Sequence, residues 1–182
     1  MSNTTSTQIP IEWIPSSHFD ERPDENDVSL LVIHNISLPP GQFGSGDIVR
    51  FFQGDLDSRV HPFYKEIEGV RVSAHCLIER TGKVLQFVQF KHRAWHAGKS
   101  SFQGRNCCND FSIGIEMEGT DDHIFTDAQY ASLINITKQI MKDYPAVTLG
   151  RIVGHSDIAP GRKTDPGRHF DWCRFRTGLV EK

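Results

Sequence analysis

The hydrophobic positions of this chain fall into short runs separated by long polar stretches. Ser29-Leu30-Leu31-Val32-Ile33-His34 is apolar almost without interruption, the pattern of a central strand buried on both faces. Val72 to Ile78 (VSAHCLI) and Val84 to Phe90 (VLQFVQF) flank a separator, Glu79 to Lys83, that contains Gly82. This arrangement predicts a hairpin. Ser112 to Glu118 (SIGIEME) alternates strictly, with Ile113, Ile115 and Met117 on one face and Gly114, Glu116 and Glu118 on the other, as a strand requires. On that pattern Glu118 belongs to the solvated face of an edge strand. A last short strand is expected over Arg151 to Val153.

One helix announces itself. Thr126-Asp127-Ala128-Gln129 is a capping box, in which the hydroxyl and the amide satisfy backbone donors left free by the first turn. Tyr130, Leu133, Ile134, Ile140 and Met141 then recur at helical spacing until Tyr144-Pro145 ends the stripe. A shorter helix is expected over Asp47 to Gln53, and another starts near Asp171-Trp172-Cys173-Arg174-Phe175. Strands interspersed with helices predict an α/β domain with a central mixed sheet flanked by helices. Two segments fit neither period: Asn35 to Arg71, apart from its short helix, and Lys91 to Asp110. Structureless segments of this length in a compact domain are usually functional or disordered. The second carries Trp95, His96, Phe102 and Arg105, more aromatic than a disordered linker.

Composition narrows the function. A chain of 182 residues suits one domain, with residues 1–13 set apart as an N-terminal extension and 14–182 as the domain. A formal net charge of −3 argues against a nucleic-acid partner or a membrane surface, and no apolar run is long enough to span a bilayer. The start of the chain is polar and shows no apolar signal core, which points to the cytoplasm. Cys76, Cys107, Cys108 and Cys173 are expected to remain thiols there, and without a CxxC spacing a thiolate metal site is not indicated.

The histidines carry more. His34 closes an apolar strand, where ligand-binding crevices form in α/β sheets. His155 follows another short strand, and Asp165 lies ten residues further on across a loop rich in Gly and Pro. Two imidazoles and a carboxylate suit a catalytic Zn²⁺, which takes three protein ligands. Each residue alone also has an ordinary reading: a polar strand end for His34, a turn cap for Asp165. Glu116 is either a solvated strand residue or, with Gly114 beside it leaving room at the sheet, a carboxylate that takes a proton from an attacking water. Lys163 is either a surface charge or a cation for a developing oxyanion. His75 reads as a buried, hydrogen-bonded residue or a supporting group, and His96 as a pocket wall. His18, His61, His92, His123 and His169 read as surface or turn residues, and so does Asp157.

Taken in order, VIHNISLPPGQFG, VRVSAHCLIER, RAWHAGKSSFQGR, NDFSIGIEMEGTD and GHSDIAPGRKTDPG are similar to the AmpD-type N-acetylmuramoyl-L-alanine amidases. The resemblance runs from Ile14 to Phe175. It implies a zinc amidase domain related to phage-type lysozyme-amidases and peptidoglycan recognition proteins. One Zn²⁺ per chain would be held by His34, His155 and Asp165, with Glu116 as acid/base and Lys163 facing the oxyanion. Phage-type relatives have Cys at the third ligand and Tyr before the His of the second strand. Asp165 and Ala74 at those positions point to the AmpD branch. The implied substrate is an anhydro-N-acetylmuramoyl peptide, cut between the lactyl group and L-alanine by a monomeric cytoplasmic enzyme of cell-wall recycling. In bacteria that have the circuit, this activity limits β-lactamase induction. Substrate contacts are expected from Asn35, Trp95 stacking on the sugar, and Arg71, Arg105 and Arg162 on the peptide carboxylates. Two departures stand out: Phe63-Tyr64 inverts the usual order, and Cys107 replaces a residue that is often basic. A binding module of the recognition-protein kind is the main rival, but such modules typically lack a zinc ligand.

Overall fold

Four consecutive apolar residues, Leu30 to Ile33, are all fully buried, and only the middle of a covered sheet can satisfy such a run. The computed structural model describes residues 10–181. The polar start of the chain, and with it most of the 1–13 extension, lies outside the described residues. In chain order the first elements are β1 (Ile11–Trp13), β2 (Phe19–Asp20), β3 (Leu30–Ile36), α1 (Asp47–Gln53), α2 (Pro62–Glu66), β4 (Cys76–Ile78) and β5 (Val84–Gln86). There follow β6 (Arg93–Ala94), β7 (Ser101–Phe102), β8 (Arg105–Asn106), β9 (Ser112–Glu118), α3 (Asp127–Asp143), β10 (Ile152–Gly154), α4 (His155–Ile158) and α5 (Trp172–Val180).

The main sheet has the order β1-β5-β4-β9-β3-β10. β3 runs parallel to both β9 and β10, while β4 is parallel to β9 and antiparallel to β5. The sheet is therefore mixed, and the expected hairpin is the β4–β5 pair. Its ladder is confined to Cys76–Ile78 against Val84–Gln86. β1 adds a parallel edge strand to β5, so Ile11–Trp13 pair with the sheet although the sequence reading set them within the extension.

Helices cover one face. Leu31, Ile33, Ile113, Ile115 and Met117 pack with Tyr130, Leu133 and Ile140 of α3 and Phe175 of α5. The capping box at the start of α3 is formed as the pattern requires, a local device worth about 1 kcal/mol. Gln129 does more than cap. Its Nε2 donates to Ile78 O at 3.2 Å and Glu118 O at 2.9 Å, which anchors the helix start to the ends of β4 and β9. α1 occupies the expected span. It begins after Gly46 and stops at Gly54, both in the left-handed region where glycine carries no steric penalty.

The other face is closed by loops and small elements. Leu30 and Val32 pack with Ala97, Cys108, Phe111 and Ile158, and a third cluster joins Phe52, Tyr64, Leu77 and Phe87. Three expectations are corrected here. β9 is not an edge strand but lies between β4 and β3, and all seven of its residues are buried. Glu118 accordingly does not face solvent. Its carboxylate accepts from Gly44 N at 2.6 Å and Arg80 N at 3.0 Å. The alternation was real, but the loops cover the face that a one-sided sheet would leave wet. His18, expected at the surface, is also buried, with Nδ1 3.0 Å from Val72 O. The long loops are not featureless either. α2 starts at Pro62 behind a His61 cap, β6 pairs with β2, and β7 with β8. All four cysteines are free thiols, and among the described residues no helix is long and apolar enough to cross a membrane.

Candidate metal centre

Side chains paired across adjacent strands share a face of the sheet. The β3–β9 register pairs His34 with Glu116, so both emerge on the loop-covered face. On the other side of β3, Ile33 pairs with Gly154, the last residue of β10, and His155 follows it as the first residue of α4. Asp157 turns the chain there: its Oδ2 accepts from Gly154 N at 2.7 Å, the turn role expected for it. The loop then folds back, with Ser156 N donating to Asp165 O at 3.0 Å and Lys163 N to Ala159 O at 3.1 Å. The return brings Asp165 beside the two histidines.

His34 Nδ1 and His155 Nδ1 lie 2.9 Å apart, and each is 3.0 Å from Asp165 Oδ2. Both imidazoles are buried, and the Asp165 side chain is 14% exposed. An outer contact settles the tautomer of His155. His155 Nε2 faces the Ala97 carbonyl at 3.1 Å and must donate to it, which leaves Nδ1 with a bare lone pair. His34 Nε2 faces His96 Nδ1 at 2.9 Å. Two imidazole nitrogens at this separation, closed by a carboxylate oxygen, are held together by a shared proton or by a shared metal ion. The donor set suits Zn²⁺, and a three-member cluster leaves a coordination position for water or substrate. Burial pushes the His34 imidazole down to about 4, keeping it neutral as a ligand must be. Burial would raise the Asp165 carboxyl, but the close contacts of its Oδ2 with the His155 and His34 rings outweigh it and hold the carboxyl well below the usual range.

Glu116 Oε1 is 4.0 Å from His34 Nδ1, and its Oε2 is buried without a hydrogen-bond partner. Burial, reinforced by Asp165, raises its carboxyl well above the ordinary value, while Lys163 pulls the other way. A cavity of about 270 Å³ is lined by His34, Asn35, Trp95, Glu116, Lys163 and Asp165. A more open, polar cavity of about 520 Å³ adjoins it, lined by Asn35, Asp121, Asp122, Arg162, Lys163 and Asp165.

The remaining expected residues divide. Asn35 lies between the two cavities, its Nδ2 donating to Asp121 Oδ1 at 2.7 Å. Trp95 lines the first cavity, and its Nε1 donates to Asp20 Oδ1 at 3.0 Å. The Arg71 guanidinium lies 5.5 Å from the Trp95 ring centroid and lines a neighbouring cavity. Arg162 borders the polar cavity while its Nη2 donates to Ala97 O and Lys99 O, both at 2.7 Å. Arg105 is not brought to either cavity: it pairs with Asp27 at 2.6 Å and lies over Phe111. Tyr64 is buried and donates to Asp47 Oδ2 at 2.7 Å, so its hydroxyl is not in the site, and Cys107 is exposed.

His75 is buried against the sheet, its Nδ1 accepting from Gly114 N at 3.0 Å. His96 is more than the pocket wall that sequence reading made it, since it touches His34 directly. The signal was present in Gly114. A Cβ there would lie 2.5 Å from His96 Cγ and Nδ1, so the space beside Glu116 is the seat of this ring.

Comparison with known proteins places this geometry in context. The family model described as N-acetylmuramoyl-L-alanine amidase matches residues 24–168. The chain is 62% identical over 166 residues to the 1,6-anhydro-N-acetylmuramyl-L-alanine amidase AmpD of Haemophilus influenzae, covering 91% of this chain and 90% of that protein. It superposes on the crystal structure of a selenomethionine AmpD derivative with a TM-score of 0.91 and 53% identity, covering 96% of both chains. It also resembles AmpDh3 of Pseudomonas aeruginosa in complex with anhydromuramic pentapeptide, with a TM-score of 0.64 and 28% identity, covering 86% of this chain and 61% of that one.

Proposed function

As the chain belongs to the N-acetylmuramoyl-L-alanine amidase family, we propose that it is a zinc-dependent hydrolase of anhydro-muropeptides, cutting between the lactyl group of anhydro-N-acetylmuramic acid and L-alanine. Its setting is cytoplasmic recycling of cell-wall fragments, and it works as a monomer with one Zn²⁺. The observation that carries this reading is the convergence of His34, His155 and Asp165 beside a buried Glu116 carboxylate oxygen that has no partner.

His34, His155 and Asp165 would hold the ion. When bound, zinc lowers the pKa of water and polarises a carbonyl. Glu116 Oε2 takes the proton of the attacking water. Because its surroundings disfavour the charged form, it is a stronger base for that transfer, and the proton it takes is passed on to the departing alanine amine. The Lys163 ammonium meets the charge that develops on the amide oxygen. Asn35, with its Nδ2 held by Asp121, offers Oδ1 to the substrate amide. Trp95 presents its ring to the sugar, and Arg71 and Arg162 flank the cleft for peptide carboxylates. Arg105 would have to leave Asp27 to join them.

Incubation with anhydro-muropeptide and with intact sacculi, followed by mass analysis, tests the reading. Free peptide is expected from the anhydro substrate alone. Equal cleavage of sacculi would move the enzyme to general murein hydrolysis, and no peptide from either would overturn the proposal. Lys163→Ala should retain zinc and lose about a hundredfold in kcat, the scale of one lost oxyanion partner. Unchanged turnover would remove Lys163 from the reaction.

A further inference from the structure

Metal-bound histidines usually donate their second ring nitrogen to a carboxylate, a carbonyl or water. His155 follows that rule with Ala97 O. His34 does not. Its Nε2 meets another imidazole, His96 Nδ1, at 2.9 Å, and the two rings stand edge to face with centroids 5.0 Å apart.

Proton placement along this contact allows one solution. If His34 Nδ1 points a bare lone pair at the metal cluster, its Nε2 carries the hydrogen and His96 Nδ1 must accept it. His96 Nε2 then carries its own hydrogen, which it donates to Ser112 Oγ at 3.1 Å. The chain is directional, from His34 through His96 to Ser112, and each member fixes the tautomer of the next.

The ring of His96 has little freedom to leave this line. It rests on Gly114, where a Cβ would lie 2.5 Å from its Cγ and Nδ1 and 2.8 Å from its Cδ2. The backbone on either side is held too: His96 N and Ala97 N both donate to Asn109 Oδ1, at 3.2 and 2.8 Å. Behind it, the buried Arg22 donates to Ser112 O at 2.7 Å and lies 3.1 Å from His75 Nε2, so the wall that carries Ser112 is itself tied down.

We propose that His96 is a positioning residue for the metal centre: a neutral imidazole that accepts from His34 Nε2, selects the ligating tautomer of His34 and fixes the plane of its ring. A carboxylate at this position would do the same while pulling His34 toward an anionic, more basic ligand. An imidazole orients His34 without adding negative charge, which preserves the polarising power of the bound cation. The inference rests on the metal-centre reading above.

Chelator competition for Zn²⁺ and the visible spectrum of the Co²⁺-loaded full chain test it, beside steady-state rates. His96→Ala should weaken zinc binding about 10–100-fold, alter the Co²⁺ bands and lower kcat with little change in KM. His96→Asn puts a carbonyl oxygen near the place of Nδ1 and should recover most of the affinity and the spectrum. Ser112→Ala, which leaves the ring in place but removes its outer anchor, should weaken zinc severalfold and carries the test if His96→Ala does not fold. Wild-type affinity and an unaltered Co²⁺ spectrum in Ser112→Ala or in folded His96→Ala would overturn the proposal. So would a His96→Asn protein as weak as His96→Ala, because ring volume alone would then be the cause. A wild-type chain that takes up neither ion overturns the metal centre itself, and is told apart because no substitution is needed to see it.

Discussion

Asp165→Ala is expected to strip the chain of zinc and of amidase activity together. The substitution removes the only anionic member of the cluster and leaves His34 Nδ1 and His155 Nδ1 facing each other at 2.9 Å. Two neutral imidazoles hold a divalent cation far less tightly than two imidazoles and a carboxylate, because the carboxylate is the charge that offsets that of the ion. Lewis-acid assistance is worth several kcal/mol, and about 1.4 kcal/mol is a factor of ten in rate. The loss should therefore reach at least about a thousandfold. Metal analysis of the purified variant and its rate on anhydro-muropeptide check this together. Treatment of the wild type with a chelator should reproduce the defect, and added zinc should reverse it in the wild type alone. Full activity after chelation would remove the metal from the reaction.

Glu116→Gln should separate chemistry from metal binding. The amide keeps the shape of the side chain, and Glu116 lies outside the three-member donor set, so zinc content should match the wild type. The lost function is proton transfer. Oε2 of Glu116 is a buried carboxylate oxygen with no internal partner, and such a group is costly to bury unless it is used. A missing general base costs about 10²–10⁴ in rate, and the fall should appear in kcat with KM nearly constant. A variant that retained zinc and turned over normally would assign the proton to another group. Thermal stability should not fall, because the wild-type carboxylate is held in an environment that disfavours its charge.

Features written in neighbouring residues were legible. The capping box of α3 was readable because it spans four consecutive positions and its hydrogen bonds are local. The glycine-bounded helix at Asp47–Gln53 and the β4–β5 hairpin were readable for the same reason. α2 was missed: five residues make too little periodicity to register, although Pro62 at its first turn was a usable sign. Glu118 and His18 were misjudged because a polar residue in an alternating or irregular stretch says nothing about which loop will cover it. Arg105 fails to reach the cavities because Asp27, distant in sequence, captures it.

Sequence alone determined the kinds of donor available and where along the chain they stand: an imidazole at the end of one apolar strand, a second just past another, a carboxylate beyond a turn rich in Gly and Pro, and an acidic residue two positions after a glycine. Their meeting was decided by tertiary structure. β3 lies between β9 and β10 in a parallel register, which puts Glu116 on one side of His34 and brings His155 in from the other. The physical reason is that strand order and register arise from pairing between segments far apart in the chain, whereas side-chain period is local. The same holds for His96. A glycine in β9 signalled an empty space, and only the folded loop from Arg93 to Ala97 showed which ring fills it.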